Sequence, residues 1–253
     1  MLILGVQIDS PHLRTALLKK RGKGIEVVSL ASTPLDQIEH VKPLYMKRGR
    51  KVVSGLSTSQ TFVKSVELQV EKERHLEEIL AFHSEASSSF DGQSVVTTSL
   101  WKKRKGGGKA LLFTTPREEL SSHLQHLLEL EMEPERVSAT PLALFRFVQW
   151  QFPSFQEGYL IDLGSSSTTL VAVEGGEIQR AYAIDQGIEG LFQALGEDRK
   201  KSLLPKEIEG FAKQLDLFQL KSHLSPHLFA RLKQFSQELG KALFSFERGE
   251  KKK

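Results

Sequence analysis

The sequence predicts an α/β protein built from two related halves, and three observations lead there. The stretch Tyr159-Leu-Ile-Asp-Leu-Gly-Ser-Ser-Ser-Thr-Thr-Leu-Val-Ala-Val173 reads as an apolar strand, a sharp polar turn and a second apolar strand. Near the N-terminus, Ile3-Leu-Gly-Val-Gln-Ile-Asp9 is again a strand ending in Asp, followed by a turn and the strand Thr15–Leu18. Apolar residues at helical spacing occupy much of the remaining chain. A unit repeated this far apart indicates two related domains facing each other rather than a solenoid, whose periods are shorter.

In the second copy, Asp162 stands where the first strand ends, and Gly164 can take backbone angles closed to other residues. Ser165, Ser166, Ser167, Thr168 and Thr169 add hydroxyls and free amides. Successive N–H groups in such a turn form an anion nest suited to phosphate, and Asp162 can hold magnesium through water. The same pattern also serves a plain hairpin with a serine-rich turn. Gly175-Gly176 then leads into a third strand, Glu177–Ile184. In the first copy Asp9 matches Asp162, and the basic tip Lys19-Lys-Arg-Gly-Lys-Gly24 leads into Ile25–Leu30.

Taken in order, residues 1–56 read as strands, with Val52-Val-Ser-Gly-Leu56 buried and Gly55 at a close approach. Phe62, Val63, Val66, Leu68 and Val70 suggest a strand, and Leu76, Ile79, Leu80 and His83 follow helical spacing. Val95–Trp101 pairs naturally with Ala110–Thr114 across the loop Lys102-Lys-Arg-Lys-Gly-Gly-Gly-Lys109. Thr115-Pro-Arg-Glu118 reads as a capped helix start, with Leu120, Leu124, Leu127 and Leu128 on the apolar face. Arg136-Val-Ser-Ala139 is a short strand. Thr140-Pro141 caps the next helix, with Leu142, Phe145, Val148 and Phe152 inward, and Pro153 ends it. Gly187–Leu195 begins a helix, and Ile208, Phe211, Leu215 and Phe218 suggest another. Ser225-Pro226 opens a long helix with Leu228, Leu232, Phe235, Leu239, Leu243 and Phe246 on a core-facing side.

Several chemistries fail on the residues. His123 and His126 as metal ligands would need a third donor aimed at the same point, and they read instead as a solvent-facing pair; no metal site is expected. Gly106–Gly108 lacks the following Lys-Ser or Lys-Thr of a P-loop. The chain has no cysteine, which excludes disulfides and thiolate metal sites. No apolar run approaches the length of a membrane span, and the first residues form a strand rather than a secretion leader. The net charge of +4 is gathered at Lys19–Lys23, Lys47–Lys51, Lys102–Lys109 and Lys251–Lys253. These read as solvated loop tips, with a weak contact to anionic lipid headgroups as the other use. No recognition-helix or stacking pattern points to nucleic acid.

The motifs Gly5-Val-Gln-Ile-Asp9, Val52-Val-Ser-Gly-Leu56, Ile161-Asp-Leu-Gly-Ser-Ser-Ser-Thr-Thr-Leu170 and Arg180-Ala-Tyr-Ala-Ile-Asp-Gln-Gly187 carry a resemblance. The chain resembles the PilM branch of the actin-like superfamily, which includes FtsA and, more distantly, the cytoplasmic part of GspL. The resemblance implies an actin-like, ribonuclease H-like bilobed α/β fold with a small inserted subdomain of the FtsA/PilM type. It places a first lobe at 1–56 and 133–155, the inserted subdomain at 57–132, and a second lobe at 156–253 that is incomplete at its C-terminus. It implies two phosphate turns clasping a nucleotide, carried here by Asp9 and by Asp162, Gly164, Ser165, Ser166 and Ser167. Such proteins sit on the cytoplasmic face of the inner membrane in type IV pilus or type II secretion machines. They hold a peptide of a PilN-like membrane partner and contact the assembly ATPase.

Two departures weigh on the chemistry. The first turn reads Asp9-Ser-Pro-His-Leu-Arg14, where the family wants glycine and small hydroxylic residues. Pro11 has no N–H and a fixed φ, and His12 and Leu13 are bulky where backbone should approach a ligand. Losing one charge-assisted hydrogen bond costs roughly 1.5–3 kcal/mol. The Gly-rich adenosine loop expected after the long helix is also missing before Lys253. The expectation is therefore a non-catalytic scaffold with a vestigial nucleotide site and no cofactor. ATP binding with magnesium and slow hydrolysis is the alternative, and a small-molecule kinase a third reading that lacks its constellation of groups.

Overall fold

A computed structural model describes residues 1–9, 12–22, 24–38, 50–69, 94–104, 107–198 and 226–250, with Ile79 and Phe90 besides. By its contacts the chain divides into two units: residues 1–161 with 169–182, and residues 162–168 with 183–253. The helices expected around Leu76–His83 (Ile79 excepted) and Ile208–Phe218 lie outside the described residues, as do Pro11 and Lys251–Lys253.

A five-stranded sheet opens the chain, with β1 (Leu2–Asp9), β2 (His12–Arg21), β3 (Gly24–Pro34), β4 (Arg50–Leu56) and β8 (Arg136–Ala139) in the order β3-β2-β1-β4-β8. The first three strands form an antiparallel meander, while β4 runs parallel to β1 and β8 parallel to β4. Even positions of β1 and odd positions of β2 send Leu4, Val6 and Leu13 to one face, as the two-residue strand period requires. There they meet Val52 of β4, together with Leu127 of α1 (Arg117–Glu129) and Met132 just beyond it. In β4 Val52, Ser54 and Leu56 are buried and Val53 and Gly55 half-buried, so the expected burial holds on one face, and a Cβ on Gly55 would lie 3.4 Å from the Thr140 hydroxyl.

The second sheet has the order β6-β7-β5-β11-β10-β9. Its strands are β5 (Phe62–Leu68), β6 (Val95–Arg104), β7 (Gly107–Pro116), β9 (Gly158–Leu163), β10 (Thr168–Glu174) and β11 (Glu177–Ile184). Val63, Phe113, Val171 and Val173 form its core with Phe145 of α2 (Thr140–Gln151). The β10–β11 turn puts Gly175 and Gly176 at φ 57° and 69°, the left-handed pair a two-residue hairpin loop demands. Gly108 is needed for another reason: a Cβ there would lie 2.3 Å from the Trp101 ring. In the second unit α3 (Ile188–Asp198) packs with α4 (Pro226–Glu250), where Leu228, Ala242 and Phe246 are buried on the expected face.

Several local expectations are corrected. Thr115 belongs to β7 and does not cap α1, because its hydroxyl donates to the Gln60 carbonyl at 2.6 Å; Pro116 holds the cap position. Thr140 is the first helical residue of α2, not its cap, and its buried hydroxyl has no hydrogen-bond partner among the described residues. Phe152 is exposed, and Phe155 packs against the second core in its place. On α1 Leu128 faces solvent and His123 is buried, donating to or accepting from the Ser54 hydroxyl at 3.0 Å. A helix that lies against a strand carrying a hydroxyl can bury an imidazole there, which apolar counting scores as a polar position.

Candidate functional site

The sequence-predicted site residues sit at two turns, Asp9 as the last residue of β1 and Asp162 within β9 just before Gly164–Ser167, and the two turns belong to different units. In the first, the β1–β2 register sets Asp9 opposite His12 and Gln7 opposite Arg14. That register puts Asp9 and Arg14 diagonally on the same sheet face, and Arg14 Nη2 reaches Asp9 Oδ2 at 3.0 Å. The Asp9 side chain is only 10% exposed. A guanidinium on this carboxylate competes directly with a divalent cation for it, and like charge opposes metal entry. The sequence alone does not reveal Arg14 as a partner for Asp9, since the pairing depends on cross-strand register.

The bulk expected at this turn is half corrected. Leu13 is fully buried in the first core, so its side chain points away from the face that carries Asp9. His12 does share that face, by strand parity. Beside the turn, on the same sheet, lies a cavity of about 620 Å³ with Gly5, Gln7, Arg14, Ala16, Gly55 and Thr140 on its walls.

The second turn is held differently. Gly164 N–H donates to the Ser167 carbonyl at 3.0 Å, closing the loop on itself. The first amides of α3 then brace it, with Ile188 N–H on the Gly164 carbonyl and Glu189 N–H on the Ser165 carbonyl, both at 3.0 Å. These are donors that a helix start leaves without an intrahelical partner. Here they support the turn instead of pointing at an anion. Gly187 makes the approach possible, because a Cβ there would lie 2.2 Å from the Ser165 oxygen. Ser165 is buried, Ser166 exposed, and Asp162, Gly164 and Ser167 half-buried.

The hydroxyls of Thr168 and Thr169, which follow the candidate residues, are engaged in the fold. Thr168 Oγ1 donates to the Gln186 carbonyl at 2.8 Å, and Thr169 Oγ1 shares a 2.7 Å hydrogen bond with Thr58. Both belong to β10 rather than to the turn. Gly187 and Thr168 are the supports that sequence reasoning missed. The metal reading of His123 and His126 meets a buried His123 already engaged by Ser54. Among the described residues no three His, Asp or Glu side chains gather as a metal group would need. Burial and the neighbouring His126 charge push the His123 imidazole below its ordinary range.

With this geometry in hand, the chain compares with solved structures. PilM from the PilM–PilN type IV pilus biogenesis complex superposes with a TM-score of 0.76 over 97% of this chain and 77% of that one, at 17% identity. The chain has the actin-like fold of PilM. The cytoplasmic domain of EpsL, an inner-membrane component of the type II secretion system of Vibrio cholerae, gives 0.54 at 19% identity, over 77% of this chain and 74% of that one. The ethanolamine utilization protein EutJ of Carboxydothermus hydrogenoformans gives 0.53 at 11% identity, covering 97% and 72%. No family model matches the chain, and no curated protein matches it in sequence. Among the described residues no helix is long and apolar enough to cross a membrane.

Proposed function

We propose that this chain is a non-catalytic actin-like scaffold in an inner-membrane assembly platform for type IV pili or type II secretion. It holds a PilN-like membrane protein, contacts the assembly ATPase, and works at the cytoplasmic face of the inner membrane. Support for the setting comes from the likeness to PilM, whose solved complex contains PilN, and to EpsL, named as an inner-membrane secretion component. The observation that favours a scaffold over an ATPase is the Asp9–Arg14 ion pair. A carboxylate already neutralised by guanidinium is a poor magnesium ligand, so one of the two phosphate turns lacks its metal partner. Were magnesium-ATP to bind, Asp162 and the Ser165–Ser167 backbone would hold it, and the nucleotide would supply its own reactive phosphate.

The second reading, ATP binding with slow hydrolysis, rests on the serine-rich loop Gly164–Ser167, a residue pattern in which successive amides can form an anion nest. Melting with and without magnesium-ATP separates the two. A ligand present at 100 times its dissociation constant and bound only to the native state stabilises it by about 2.7 kcal/mol. The scaffold predicts no change in melting temperature up to millimolar nucleotide. Micromolar binding by calorimetry overturns it. A binary screen against single-span membrane proteins tests the partner, and recovery of none would count against the platform role.

A further inference from the structure

A second cavity, of about 430 Å³, lies in the first unit away from both aspartate turns. Its floor is the face of β5–β7 that carries Ser65, Lys102, Lys109 and Leu111, and its opposite wall is α2, with Leu142, Phe145 and Arg146. Strand register settles the floor: Lys102 pairs with Lys109, Leu100 with Leu111, and Ser65 with Leu111, so all of them share one face. Three cationic side chains line the cavity against a single carboxylate, Glu177.

That carboxylate is crowded. Lys102 Nζ lies 2.5 Å from Oε1, while Arg104 Nη2 and Lys109 Nζ lie 2.9 and 3.3 Å from Oε2. Lys109 is 12% exposed and also donates to Gln179 Oε1 at 2.9 Å. An ammonium has three hydrogens to give, so a third remains after these two partners. The positive charge here exceeds what Glu177 neutralises. The Ser65 hydroxyl, on the same face, is buried with no hydrogen-bond partner among the described residues. A buried hydroxyl left in this state is an exception that asks for a ligand or a role. Besides Gln149 and Gly176, the remaining lining is aliphatic or aromatic.

We propose that this cavity binds a carboxylate carried on an aliphatic body, with Lys109, Lys102 and Arg146 meeting the charge, Ser65 supplying a further hydrogen bond, and Leu111, Leu142 and Phe145 packing the apolar part. The site shares no residue with either aspartate turn, so it stands whether or not nucleotide binds; a peptide source would deepen the partner-holding part of the proposed function. The volume falls in the range of small-ligand pockets, while the lining is about as polar as it is apolar, as an amphipathic ligand requires. Two sources present this chemistry: an acidic side chain within an apolar peptide, or a free medium-chain fatty acid.

The test is calorimetric titration of the full chain with sodium octanoate, with 1-octanol, and with a short peptide alternating leucine and glutamate beside its glutamine counterpart. A charged probe is expected to bind about tenfold or more tightly than its neutral partner. Lys109→Met should weaken that probe by about tenfold. Arg146→Gln, at an exposed helix position that leaves the core intact, should weaken it by about three- to fivefold and decides the matter if the lysine variant fails to fold. Preference for the peptide assigns the source to a protein segment, and preference for octanoate to a free acid. Equal binding of charged and neutral probes, no binding at all, or wild-type affinity in Arg146→Gln overturns the site.

Discussion

The two strand–Asp–turn units begin from the same pattern and finish as different objects. In the β1–β2 turn the aspartate is closed off from within its own sheet, by Arg14 at 3.0 Å across the hairpin. In the β9–β10 turn the loop is longer, and its carbonyls are caught by the start of α3 through Ile188 and Glu189. The surroundings diverge too. The meander β1–β3 is extended on the β1 side by parallel β4, leaving β3 as an edge with Ile25, Val27 and Leu30 exposed. The meander β9–β11 is extended on the opposite side, where β11 pairs with β5, and β9 is the edge with Ile161 and Leu163 exposed. A local motif therefore sets where a carboxylate and a turn occur. What the carboxylate can bind is set by the strands and helices that later pack against it.

The comparison breaks most readily at the second turn. Gly187→Ala forces a Cβ to within 2.2 Å of a backbone oxygen, so the loop or α3 must move. Overpacking of this kind costs about 1–3 kcal/mol. A lower melting temperature and urea midpoint should follow, and an unchanged midpoint would mean the brace is soft. Thr168→Val removes a fully buried hydroxyl and leaves the Gln186 carbonyl short of a donor. About 1–2 kcal/mol should be lost, read in the same denaturation experiment.

Under the first sheet the brace is titratable. The folded-state pKa of His123 is held below its ordinary value of 6.5, first by burial and then by His126. Below that value the unfolded chain takes up the proton more readily than the folded one, so stability should fall as pH drops through 6.5 and be flat above it. His123→Gln should flatten that slope between pH 7.5 and about 5.5; an unaltered slope would assign it elsewhere. The smallest effect is expected at Arg14, which is 40% exposed. Arg14→Ala should change stability by less than about 1 kcal/mol. It should not by itself yield micromolar magnesium-ATP binding, because Pro11 and His12 remain. Tight binding by that variant would show the ion pair alone keeps nucleotide away.

Local chemistry wrote much of this molecule legibly. The alternation of Ile3–Asp9 and Tyr159–Val173, the Gly175-Gly176 turn, the close approach at Gly55 and the apolar face of α4 all follow from backbone preferences and side-chain period. Those are properties of neighbours along the chain. What only the tertiary structure decided depends on distant ones. Strand register gave Asp9 its guanidinium, helix docking hid His123 against Ser54, and the Thr168 and Thr169 hydroxyls found the Gln186 carbonyl and Thr58. The pairing of β11 with β5 joined two stretches far apart in sequence into one sheet. The physical reason is shared by all four. A residue's dihedral preferences and hydropathy act over a few positions, whereas the partner that neutralises, buries or braces it is chosen by packing across the whole chain.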